Sequence, residues 1–67
     1  MSLREKENWM QIGAIVNAGG TLGRIVKMQE NTIDNIDYVY YITVILSGET
    51  EKRRYHPNDI KEIKTFE

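Results

Sequence analysis

With 67 residues the chain is sized for one domain, and a domain near that length buries only about 60% of the surface its unfolded form exposes. A hydrophobic content of 40% is that of a globular protein, while the absence of cysteine excludes disulfide staples, thiolate metal sites and thiol nucleophiles together. Nine basic residues against ten acidic ones leave a net charge of −1, so no global field draws in nucleic acid or an anionic membrane and any such binding has to be local.

The opening "MSLREKENW" is charged where a signal peptide is apolar, and no apolar run approaches the roughly 20 residues of a membrane span. The expectation is a soluble, cytoplasmic chain with no membrane partner. "SLRE", Ser2 to Glu5, fits a helix capping box, so residues 1–8 are read as either a single helical turn or a disordered tail ahead of a domain over 9–65. From Trp9 the texture changes. "WMQIGAIV" is short and apolar and stops at the turn cluster "NAGG", which predicts a first strand and its hairpin turn. "TLGRIVKM" follows as a second strand carrying Arg24 and Lys27. "QENTIDNID" then reads as an acidic surface loop with Ile33 or Ile36 against the rim of the fold, and it lacks the glycine and terminal glutamate that a calcium loop needs.

"YVYYITVIL", Tyr38 to Leu46, is almost wholly β-branched or aromatic and is expected to be the central strand. Simple alternation turns Tyr40, Ile42, Val44 and Leu46 inward and Val39, Tyr41, Thr43 and Ile45 outward. "SGET" predicts a turn and "EKRRYH" a fourth strand. In "HPND" the proline fixes φ and lacks an N–H, and Asn58 and Asp59 are turn formers, which together predict one 3₁₀ turn. "IKEIK" is the last short strand. The fold class is therefore all-β, five-stranded, with a 3₁₀ turn before the last strand.

That order resembles the SH3-like small-barrel superfamily, in particular its KOW and Tudor-like members. The hairpin "IGAIV" to "GGTLGRIVKM", then "YYITVIL", "SG" and "ET", then "YHPNDIKEI", carry the resemblance, which covers Trp9 to about Ile63. It implies a half-open barrel with loops at one end. It does not imply an activity, because the superfamily hosts RNA, DNA, peptide and purely structural roles.

Three stretches invite a chemical reading. His56, Asp59 and Glu62 suggest a metal trio or an acid/base site, but the lone imidazole has no second His or Cys to join it and no nucleophile at a motif spacing. "GGTLGR" suggests a phosphate loop, yet Gly23 is followed by Arg24 and a strand rather than by Lys-Ser/Thr and a helix. Gly19 and Gly20 are better read as the turn, and Gly23 as a bulge or close backbone approach. No enzyme activity, metal or cofactor is expected.

"KRRY" places three cations beside an aromatic. On a strand Lys52 and Arg54 point one way and Arg53 the other, and edge-strand cations also serve simply to block aggregation. The outward face of the central strand is apolar as well, which calls for cover by the Leu3–Trp9 segment or by a partner. The leading expectation is a non-enzymatic interaction module that binds a protein partner, or itself as an oligomer, through Tyr41, Ile45 and Tyr55. The alternative is a KOW-like nucleic-acid binder that uses Arg24, Lys27, Lys52, Arg53 and Arg54.

Overall fold

A computed structural model describes residues 3–63. They form one antiparallel sheet of β1 (Arg4–Glu5), β2 (Ile15–Ala18), β3 (Thr21–Ile33), β4 (Ile36–Leu46), β5 (Lys52–Tyr55) and β6 (Ile60–Glu62). A 3₁₀ turn at Pro57–Asp59 separates β5 from β6. β4 is the spine: β3 lies along one side, while β5 and β1 share the other, end to end. β2 joins β3, and β6 joins β2. β5 and β6 stand at opposite ends of this order yet are linked by one short turn, so the sheet curls on itself into a half-barrel. The all-β class and the 3₁₀ turn before the last strand are those the sequence implies.

The inner side of the curl holds the core. Met10, Val16, Ala18, Ile25, Val39, Ile42, Val44, Leu46 and Ile60 are buried, and no polar or charged residue is buried with them among the described residues. Pro57 is buried at the corner, where it sets the 3₁₀ turn and delivers Ile60 back to the core. Gly19 and Gly20 both take positive φ in the β2–β3 hairpin, the geometry whose twist matches its flanking strands. The Asn17 side chain accepts the Gly20 N–H at 2.8 Å and fixes that turn. Gly23 is a close-approach site, not a bulge. Its register is regular, and a Cβ there would lie 2.4 Å from Val44 Cγ1.

Four expectations are corrected. The first strand is confined to Ile15–Ala18, because Met10, Gln11 and Ala14 donate to Glu7, Trp9 and Gln11 in successive local turns and Gly13 adopts φ +92°. Met10 nevertheless closes the bottom of the core. "QENTIDNID" is not a loop: β3 and β4 continue through it as a hairpin that turns at Asp34 and Asn35, both at positive φ, which Asp and Asn tolerate. This end projects past the core, so Ile33 and Ile36 stay exposed rather than tucked in.

The N-terminal segment is neither helical nor a tail in its described part. Arg4 and Glu5 pair with Val39 and Tyr38, and Lys6 extends the ladder by donating to the Asp37 carbonyl at 2.8 Å. β5 stops at Ile42 and leaves the distal edge of β4 unpaired, and that open edge is what β1 fills. Ser2 of the supposed capping box, and Lys64 and Thr65 at the end of the expected strand and domain, lie outside the described residues.

The fourth correction concerns the direction of side chains on β4. Val39, not Tyr40, is fully buried. The β3–β4 register shifts between Gln29 and Glu30, where Tyr40 is the extra residue, so the alternation reverses there and Val39 turns inward.

Candidate functional site

Residues directly opposite one another in an antiparallel pair share a face of the sheet, so the register assigns the outward face without ambiguity. One row reads Ile15, Arg24, Ile45 and Lys52 across β2, β3, β4 and β5. The next reads Lys27, Thr43 and Arg54, and a third pairs Gln29 with Tyr41. Four cations therefore border Thr43 and Ile45, with Tyr41 in the adjoining row, and no acidic residue occupies these paired positions.

Arg24 and Lys27 stand three residues apart, a spacing that puts them on opposite faces of a regular strand. Their shared face depends on a second register shift, between Ile25 and Lys27, in which Val26 is the extra residue. The bulge therefore builds the basic face.

Arg53 is separated from it. It pairs with Val44, an inward residue, and its Nε lies 2.9 Å from Glu49 Oε1. That carboxylate, with Glu51 nearby, raises the Arg53 pKa above its ordinary value. Tyr55 likewise pairs with Ile42 and packs against the core. Of the residues grouped as a nucleic-acid surface, the fold brings together Arg24, Lys27, Lys52 and Arg54. Of those grouped as a partner surface, it brings together Tyr41 and Ile45.

Three other cations are paired with acidic side chains: Arg4 with Glu7, Lys6 with Glu30 at 3.0 Å, and Arg53 with Glu49. Among the described residues Arg24, Lys27, Lys52 and Arg54 make no ion pair, and neither does Lys61 on β6. Arg4 also donates to the Pro57 carbonyl at 3.1 Å and lies over the Trp9 ring, bolting the N-terminal segment to the corner. Glu7 accepts from Trp9 Nε1 at 3.1 Å, and this bond together with Arg4 holds its carboxyl below the ordinary value.

The Tyr41 ring is half-buried by its own neighbours. The Arg54 guanidinium stands 4.8 Å from its centroid, a cation–π arrangement, and the His56 ring packs at 5.3 Å and 53°. Lys27, Gln29, Thr43, Tyr41 and Arg54 enclose a small hollow of about 70 Å³. Beside it, Ile15, Leu22, Val26, Ile45 and Arg24 line a shallower apolar groove of about 430 Å³, in which Ile15 and Leu22 are about half exposed. The outward face is thus covered neither by the N-terminal segment, which pairs at the far end of β4, nor by another element of the described chain.

His56 stands exposed before Pro57 with its ring against Tyr41, a contact that only the fold reveals. Asp59 and Glu62 do not converge with it: among the described residues no group of three His, Cys, Asp or Glu side chains comes together to hold a metal. Gln29 also went unsingled by sequence reading, because only its pairing with Tyr41 places it at the hollow. No helix of the described residues is long and apolar enough to cross a membrane. No family model, curated protein or solved structure matches the chain.

Proposed function

We propose that this chain is a non-enzymatic nucleic-acid-binding module whose contact surface is the outward face of β3, β4 and β5. One observation carries the reading: in a chain of net charge −1, the register gathers four cations without acidic partners on one face, beside an aromatic. Phosphates are the complementary ligand, and release of their counterions supplies the affinity. The SH3-like resemblance fits this role, and the lack of cysteine fits a cytoplasmic setting.

The two adjacent arginines make the test. Binding of labelled RNA and DNA oligonucleotides is measured by anisotropy over a range of salt. Four phosphate contacts give a slope of log K against log salt of roughly −3. Arg54→Ala weakens binding and flattens that slope by somewhat less than one, while Arg53→Ala changes neither. Absence of binding at low salt, or equal losses in the two variants, overturns the reading.

A second reading rests on the apolar groove. Ile15, Leu22, Val26 and Ile45 leave oily surface beside Arg24, which suits a protein partner or a second copy of the chain. Leu22→Thr with Ile15→Thr then abolishes self-association, read by sedimentation, without altering oligonucleotide binding.

A further inference from the structure

We infer that the nucleic acid bound by this face is single-stranded, with one base stacked at Tyr41 and its edge read by Gln29 and Thr43. The inference rests on the nucleic-acid reading of the face and deepens it. Proteins read duplex DNA with a helix or a two-stranded ribbon laid in the major groove. No α-helix occurs among the described residues. Among the described residues the one long ribbon is the projecting end of β3 and β4, and its side chains are of the wrong sign. Between Glu30 and Tyr38 it carries Glu30, Asp34 and Asp37 and no cation. Phosphates on both sides of a groove repel such a finger, so the cations can engage nucleic acid only across the open sheet face.

An open sheet face that carries an aromatic ring is how proteins hold single strands, whose unpaired bases are free to lie on the ring while cations track the backbone. Tyr41 supplies that ring at one end of the face: Lys27 and Arg54 stand in the next row, opposite Thr43, and Arg24 and Lys52 in the row beyond, opposite Ile45. Arg54 already lies over the ring at 4.8 Å, so the ring accepts a planar cationic group, and a base would stack there beside or in place of the guanidinium. The hollow next to the ring offers the Gln29 amide, a donor and an acceptor, and the Thr43 hydroxyl. These are the groups needed to bond a base edge that a duplex would keep paired.

The test compares a mixed-sequence single strand of about 12 nucleotides, as RNA and as DNA, with the same strand annealed to its complement; small barrel modules have site sizes in this range. The expected result is single-strand binding at least roughly tenfold tighter than duplex binding. Tyr41→Leu, which keeps apolar bulk and removes the π face, loses about 5- to 150-fold of single-strand affinity with the salt slope unchanged. Tyr41→Phe retains affinity, and circular dichroism with thermal melting verifies that both variants fold. Should Tyr41→Leu not fold, Gln29→Ala with Thr43→Val on the intact ring replaces it, with a several-fold loss expected for the single strand alone. Equal or tighter duplex binding, or unchanged affinity in the folded ring variant, overturns this inference and leaves the basic face as a backbone binder. Failure of the wild-type protein to bind any strand overturns both readings.

Discussion

Replacing Gly23 by alanine adds one methyl group where the structure has no room for it. The new Cβ would meet Val44 Cγ1 at 2.4 Å, the Ile45 carbonyl oxygen at 3.1 Å and Leu46 Cδ2 at 3.2 Å. Ordinary carbon contacts lie at about 3.5–4.0 Å, so the first overlap exceeds roughly 1 Å. Val44 is fully buried and its backbone is tied to both β3 and β5, so neither side chain nor strand has anywhere to retreat. Overpacking of this kind costs about 1–3 kcal/mol. For a chain that holds together by about 3–10 kcal/mol, a loss near 2 kcal/mol lowers Tm by roughly 8–16 °C. Urea and thermal melts of four proteins read the effect: wild type, Gly23→Ala, Val44→Ala and the double variant. Val44→Ala alone loses about 2 kcal/mol in transfer and cavity terms. It also removes the methyl that Gly23→Ala strikes, so the double variant falls short of the summed losses by more than about 0.5 kcal/mol. A Gly23→Ala protein within about 0.5 kcal/mol of wild type, or a strictly additive pair, refutes the close-approach account.

Two further outcomes test the register and the N-terminal bolt. Val39→Ala costs about 2 kcal/mol by urea melting while Tyr40→Ala costs markedly less, because the bulge turns the first fully into the core and leaves the second half-buried outside it; the reverse order refutes the bulge at Tyr40. Glu7 has a carboxyl pKa held below its ordinary 4.5 by Trp9 and Arg4, so its contribution is present above that value and disappears as pH falls through the lowered folded one. The Tm difference between wild type and Glu7→Gln is therefore expected at neutral pH and lost in acid, and a pH-independent difference refutes the linkage.

The strands that enclose the core were legible in the residues, because burial on one face imposes alternation and β-branched side chains. "YVYYITVIL" shows its strand character openly. The two bulges of the β3–β4 pair do not show, since a bulge is a relation between strands: Tyr40 is extra only relative to the Gln29–Glu30 step of β3, and Val26 only relative to β4. The distal hairpin was hidden for a different reason. Its arms extend past the core, so "QENTID" has no need of an apolar face and reads as loop, although Asp34–Asn35 is a fair signal for a turn with two positive φ angles. β1 was hidden because two residues carry no pattern, and only an unpaired edge of β4 gives them a place. At the candidate site, the opposition of Arg53 to Lys52 and Arg54 follows from strand alternation alone. The union of Arg24 with Lys27, and the meeting of His56 with Tyr41, needed the fold.

β4 is bordered by β5 along its proximal half and by β1 along its distal half; its buried Ile42, Val44 and Leu46 lie in the proximal half, and of the distal half only Val39 reaches the core. The two halves consequently open at different free energies. The distal end, secured by a two-residue strand and the exposed Lys6–Glu30 pair, exchanges its amide hydrogens by local fraying, whereas the amides of Ile42 to Ile45 exchange only when the barrel itself opens. The N-terminal segment can therefore detach and return while Tyr41 and the cations around it hold their positions.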